Sequence, residues 1–347
     1  MNRKEFIRNT SVLAGGMVLG RDALAAPKSK NKLPRWKGFN LTDFNTPDPS
    51  PNRRYTTEEH LKWMHDWGFD FVRLPISYPY YLKFDRTEKI TPEDVYHIDD
   101  AAMDKIDSLV QLAHKYNMHV SLNLHRAPGY CINAGFNEPY NLWKDQEAQN
   151  AFYFHWNLWA KRYKDVSSKK ISFDLLNEPC MREDMNDQHA KNSAIPGPLY
   201  REVARSAAEA IRKENKDHLV IADGNNVGNF PTPELADLDM AQSCRGYFPH
   251  AISHYKAPWA NKDPDAMPLP TYPGQVSRAA LEMYYQPWIA LKDRGVGIHC
   301  GECGCWNKTP HNVFLAWFGD VLDILKSNGI GFALWEFIGA FGILNSG

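Results

Sequence analysis

Eight short apolar runs, most of them separated by a stretch with the rhythm of an amphipathic helix, constrain the fold of this chain more than any other feature. They are Trp36–Leu41, Phe69–Pro75, His119–Leu124, Ile171–Leu176, Leu219–Ala222, Met240–Tyr247, Val296–Gly301 and Gly331–Trp335. Helices are expected at Thr57–Gly68, Asp99–Asn117, Gln146–Tyr163, Leu199–Asn215, Ser277–Arg294 and His311–Ser327. In the first of these, Leu61, Met64 and Trp67 recur at three-residue spacing, with Thr57 as a cap and Gly68 as a stop. Pro287 should kink the fifth. Strands that alternate with helices run parallel, and eight of them argue for a closed α/β barrel of the (β/α)8, or TIM, type. The chain reaches Gly347 soon after the eighth strand, so the last helix of the barrel is expected to lie beyond it.

A length of 347 residues accommodates one barrel of about 250 residues or more, and nothing in the middle reads as a linker. The 40 basic and 41 acidic residues nearly cancel, which argues against nucleic acid and anionic membranes as partners. A neutral partner is expected. Core packing accounts for most of the aromatic residues, but 11 Trp and 16 Tyr also suit stacking on sugar rings.

Residues 1–26 read as an export signal, leaving a catalytic domain over 27–347. Arg3, Lys4 and Arg8 precede the small, apolar run Ser11–Gly20, and Ala23-Leu24-Ala25 offers a cleavage site. Arg3-Lys4-x-Phe6-Ile7 resembles a twin-arginine motif with lysine in the second place. The run is too short to span a bilayer. Export to the periplasm, the cell surface or beyond would permit disulfides among Cys131, Cys180, Cys244, Cys300, Cys303 and Cys305. The cluster Cys300-Gly-Glu-Cys303-Gly-Cys305 also allows a metal reading, but no second segment supplies the remaining ligands of a structural zinc site. Buried thiols, or one or two disulfides, are expected instead, with no metal and no cofactor.

The chemistry gathers where strands end. Phe173-Asp-Leu-Leu-Asn177-Glu178-Pro179 passes from an apolar strand to an amide, a carboxyl group and a proline, and Pro179 should hold Glu178 extended at the catalytic rim of the barrel. Arg73, His125, Tyr247, Glu302 and Trp335 close other strands in the same way. Taken singly, these residues have ordinary explanations: a surface ion pair, a core histidine, a packing tryptophan. Together on one rim they point to a site. Two carboxyl groups there suit glycoside hydrolysis, in which one protonates the leaving oxygen and the other faces the anomeric carbon.

The motifs Val72-Arg-Leu-Pro75, Leu124-His-Arg-Ala-Pro-Gly129, Leu176-Asn-Glu-Pro179, Gly301-Glu-Cys-Gly304 and Ala333-Leu-Trp335 resemble those of glycoside hydrolase family 5, the cellulase family. The resemblance implies a metal-independent, retaining β-glycosidase, with Glu178 as acid/base and Glu302 as nucleophile. It implies that Arg73, His125, Asn177, Tyr247 and Trp335 bind substrate or support the glutamates. Strand six departs from the family. Arg245 stands where His-x-Tyr would place histidine, Tyr247 is kept, and His254 follows downstream. The expected substrate is a β-linked polysaccharide or oligosaccharide, foremost a β-glucan cut in the manner of an endo-β-1,4-glucanase. Exo-β-1,3-glucanase or β-glucosidase action and a non-catalytic sugar-binding barrel are the alternatives.

Overall fold

Each of eight parallel strands pairs with the next in chain order, and the eighth pairs with the first, closing the barrel. In the computed structural model, which describes residues 33–47, 54–133, 138–185, 187–274 and 276–344, the strands are β1 (Lys37–Asn40), β2 (Phe71–Ser77), β3 (His119–Ala127), β4 (Ile171–Asp174), β5 (Leu219–Asp223), β6 (Ala241–Gly246), β7 (Ile298–Cys303) and β8 (Gly331–Leu334). The long helices are α1 (Glu58–Asp66), α2 (Asp100–Lys115), α3 (Gln146–Arg162), α4 (Gly197–Arg212), α5 (Arg278–Asp293) and α6 (His311–Ser327). The segment between β5 and β6 makes only short turns at Asn225–Gly228 and Pro233–Leu235. Among the described residues, no helix follows β8. The leader read over 1–26 lies outside the described residues.

Local chemistry explains the boundaries. The Thr57 hydroxyl accepts from the His60 backbone N–H while His60 Nδ1 accepts from the Thr57 N–H, a reciprocal cap that starts α1. Gly68, at φ +78°, takes the left-handed turn that ends it. Asp99 caps α2 and Ser277 caps α5. Helix α5 runs from Arg278 to Asp293 with Pro287 inside it. Strand β4 leaves the ladder at Asp174, two residues earlier than the sequence implies, although the Leu175 N–H still reaches the Ile221 carbonyl.

The two faces of the strands carry different chemistry. Outward-facing Val72, Leu74, Val120, Leu122, Leu124 and Phe173 join the helices in the main apolar core. A second core, with Cys244, Cys300 and Cys303, lies under α5 and α6. At the amino-terminal end of the barrel, Trp36 stacks on His119 and Phe71 at centroid distances of 4.0 and 5.1 Å, plugging the interior. Above that plug the interior positions turn polar: Asn40, Arg73, Asn123, Asp174, Asp223 and Arg245 are all buried.

The barrel is tight enough to be read atom by atom. Trp156 on α3 is fully buried, donates from its indole to the Leu175 carbonyl at 3.2 Å and meets Phe173 edge-on. It supports the strand end that carries Asn177 and Glu178. Trp156→Ala should lower unfolding free energy by about 3–5 kcal/mol. Urea denaturation would show this, and a loss below about 1 kcal/mol would contradict the packing described.

Candidate active site

Two arginines fill the mouth of the barrel, and every nearby carboxyl group is arranged around them. Arg73 donates from Nε to Asp174 at 2.7 Å, from Nη1 to Glu302 at 2.7 Å and to Asn40 at 3.0 Å, and from Nη2 to Asn177 at 3.0 Å. Arg245 donates from Nε to Glu178 at 3.1 Å and from Nη1 to Asp223 at 3.0 Å and to Ser243 at 3.1 Å. Its Nη2 donates to Asn177 at 3.0 Å and to the second oxygen of Asp223, and lies 3.3 Å from Glu302. Both guanidinium groups are almost wholly buried, at 1% and 2% exposure. An arginine cannot shed its charge in a protein, so burial on this scale requires several acceptors, and these two have them.

The two glutamates face the same guanidinium. Adjacent nitrogens of Arg245 touch Glu178 and Glu302, which holds the carboxyl groups close enough to feel each other. Burial first, and the neighbouring Glu302 charge second, push the Glu178 carboxyl up to about 8 against the opposing pull of Arg245. Glu302 takes the short Arg73 bond on Oε1 and the Tyr247 hydroxyl on Oε2 at 3.2 Å. Burial and Asp223 push Asp174 up to about 7, with Arg73 pulling the other way. Burial also works against ionised Asp223, but Arg245 and Arg73 outweigh it and hold that group below the ordinary aspartate value.

Backbone geometry aims both glutamates. Cys300 pairs with Cys244 but Glu302 pairs with Arg245, so β7 carries one extra residue, Gly301, at a bulge that turns Glu302 into the mouth. A Cβ at Gly301 would lie 2.4 Å from the Ser243 hydroxyl. Glu178 is not extended, as the following proline suggests, but sits at φ +49°. A left-handed glutamate costs of order 1–3 kcal/mol and persists only where its surroundings over-determine it. Here they do: its N–H donates to Asp223 at 2.9 Å, and its carbonyl accepts the Tyr130 hydroxyl at 2.7 Å.

A cleft of about 510 Å3 opens above these groups. His125, Asn177, Glu178, Tyr247, His254, Glu302 and Trp335 all line it. His125 lies flat against Trp335 at 5.4 Å, and burial with the two arginines lowers its pKa to about 3. His254 shares its Nδ1 with the Ser253 hydroxyl at 2.9 Å, sets its ring against Tyr247, and is likewise held near 3 by burial. Arg73 and Arg245 are the exceptions among the expected residues: they lie beneath the cleft, not along it, and hold the glutamates from below.

Three buried contributors escape the sequence reading: Asn40, Asp174 and Asp223. They are the last residues of β1, β4 and β5, so the strand-end rule that picked out Arg73 applies to them equally. All six cysteines are buried free thiols. Among the described residues, no group of three or more His, Cys, Asp or Glu side chains is disposed to hold a metal ion, and no helix is long and apolar enough to cross a membrane.

Residues 29–340 match the family model for cellulase, glycosyl hydrolase family 5. The chain belongs to this family. It is 28% identical over 304 residues to cellodextrinase A of Ruminococcus flavefaciens, covering 85% of this chain and 83% of that protein. It is 24% identical over 313 residues to endoglucanase C of Acetivibrio thermocellus, covering 82% of this chain and 84% of that protein. A solved glycoside hydrolase is similar over 90% of this chain and 91% of its own, at 36% identity and a TM-score of 0.79. The protein is therefore a glycoside hydrolase, and its family acts on β-glucans.

The raised Glu178 value links this site to folding. An ordinary glutamate releases its proton near 4.5, whereas the folded chain keeps this one to about 8. The stabilising effect of that proton is complete below about pH 4.5 and is lost as pH rises through about 8. Glu178→Gln fixes the neutral form, so its melting temperature should gain on wild type from about pH 5 to about pH 8 and then level off. Paired thermal melts across this range provide the check, and a gap independent of pH would contradict the assignment.

Proposed function

We propose that this protein is an exported β-glucan hydrolase that cleaves with net retention, with Glu178 as acid/base and Glu302 as nucleophile. The observation that carries the reading is Arg245, one planar group touching both glutamates, beside a Glu178 that keeps its proton near neutrality. Carboxyl groups about 5 Å apart attack directly and retain configuration, whereas wider pairs admit water and invert. Two carboxyl groups bridged by neighbouring nitrogens of one side chain belong with the closer arrangement.

In the first step Glu302 attacks the anomeric carbon while Glu178 gives its proton to the departing glycosidic oxygen. Positive charge develops on the sugar ring, and the carboxylate beneath it stabilises that charge. The resulting ester removes the Glu302 charge, and with it part of what held the proton on Glu178. Arg245 still pulls the other way, so Glu178 now serves as base toward the incoming water. Asn177, fixed by both arginines through its Oδ1, keeps its amide nitrogen for a sugar hydroxyl. His125 is neutral, and its ring lines the cleft against Trp335. Trp335 lines the cleft as a stacking face.

The chain's similarity to a cellodextrinase and an endoglucanase favours β-1,4-linked glucan. A second reading, action on short cellodextrins, draws on the two loops that wall the cleft. Gln188, His189 and Ala190 come from one, and Trp259, Ala260 and Lys262 from the other. Export rests on the basic and apolar pattern of residues 1–26.

Glu302→Ala should abolish nearly all turnover, and azide should restore part of it while giving a product of opposite anomeric configuration. Glu178→Ala should lose about 10²–10⁴-fold on cello-oligosaccharides but keep rapid first-turnover release of a good aryl leaving group. Reducing-sugar release from β-1,4-glucan, mixed-linkage glucan, β-1,3-glucan, mannan and xylan, together with cellodextrins of increasing length, ranks the substrates. Wild-type activity in both variants would refute the assignment.

A further inference from the structure

The Asp223 carboxylate accepts three hydrogen bonds at this site, more than any other carboxyl group around the two arginines. It is fully buried. It accepts from both terminal nitrogens of Arg245, accepts from the Glu178 backbone N–H at 2.9 Å and lies 3.7 Å from Arg73 Nη2. Its own backbone carbonyl is fixed by the Tyr200 hydroxyl at 2.6 Å.

We propose that Asp223 is a positioning residue of the active site, joining the Glu178 backbone to the Arg245 fork and so setting where the Glu178 carboxyl group points. The proposal rests on Glu178 being the acid/base. Three observations support it beyond the contacts themselves.

Glu178 stands in a left-handed conformation that needs an external hold, and Asp223 holds its N–H. Arg245 is 2% exposed, and a buried guanidinium that cannot neutralise itself needs a paired carboxylate, which Asp223 supplies to both of its terminal nitrogens. The surroundings are also cut to the arginine. Gly228, at φ +72°, leaves room for it, since a Cβ there would come within 2.6 Å of Arg245 Cγ.

The fork then reaches Glu178 from one side only, through Nε. With Asp223 removed, Arg245 loses the acceptor shared by its two terminal nitrogens and the Glu178 N–H loses its partner, so the link between the fork and the Glu178 backbone is broken. The groups that act on Glu178 from the surrounding strands are Arg245 and Tyr247 from the β6 end, Asp223 from β5 and Glu302 from β7. Of these, Asp223 and Arg245 alone bond to it directly.

The test uses the full chain and the variants Asp223→Asn and Arg245→Lys, with circular dichroism and thermal melts to verify folding. Asparagine keeps the shape but cannot accept three N–H bonds from these partners, and lysine keeps the charge but loses the fork. Asp223→Asn should lower kcat on a cello-oligosaccharide by tenfold or more with KM changed less than threefold. First-turnover release from an aryl cellobioside with a good leaving group, which needs little protonation, should fall far less.

Arg245→Lys should show the same dependence on leaving group, and the double variant should be no worse than the poorer single one, as for residues acting as a unit. Equal losses on both substrates, additive losses in the double variant, or an Arg245→Lys enzyme like wild type would overturn the proposal even if Asp223→Asn failed to fold. Glu178→Ala, run in parallel, separates the two ideas. If it matches wild type on the cello-oligosaccharide, the acid/base reading itself fails; if it loses that turnover while Asp223→Asn matches wild type, only the positioning role fails.

Discussion

Two guanidinium groups buried in the mouth of a barrel set the terms for everything around them. Neither can be neutralised by losing a proton, so Arg73 and Arg245 must be surrounded by acceptors, and four carboxyl groups and two amides converge on them. Four carboxylates would exceed two cations. The excess is met by protons, since Glu178 keeps its proton to about 8 and Asp174 to about 7, while Asp223 stays ionised between the arginines. A site built to neutralise buried arginines thus holds one of its protons on Glu178.

The rest of the fold fixes the coordinates of that cluster. Alternation along each strand sends apolar side chains outward to the helices and polar ones inward, so eight strands deliver their polar residues to one enclosed volume. The Trp36 stack closes the amino-terminal end, which leaves the carboxyl ends as the open face. Fine adjustment comes from two local departures from regularity, the bulge at Gly301 and the left-handed turn at Glu178. Both would be unfavourable in isolation, and both are held by the same arginine and aspartate groups that they help to place.

The barrel itself was legible in the sequence because periodicity and caps are local signals. Thr57, Gly68, Asp99 and Ser277 lie within a residue or two of where the helices start and stop. Arg73, His125, Asn177, Glu178, Tyr247, His254, Glu302 and Trp335 gather as expected, since a parallel barrel brings every strand end to one face. Asp174 and Asp223 were missed because they lie inside the barrel beneath the residues that line the cleft, and their role depends on partners 101 and 22 residues away. The conformation of Glu178 was misread for a related reason. The proline rule is local, whereas the N–H that overrides it is held by a carboxylate 45 residues further on.

The central claim is that Glu302 forms a covalent bond to the sugar while Glu178 handles the proton. A 2-deoxy-2-fluoro-cellobioside with a dinitrophenyl leaving group slows both steps but leaves the first the faster, so the intermediate accumulates. Peptide mapping of the inactivated enzyme by mass spectrometry should place one glycosyl unit on the peptide containing Glu302, and fragmentation should assign it to that side chain. Label on Glu178, or undiminished turnover of natural substrate by enzyme that carries the label, would contradict the account.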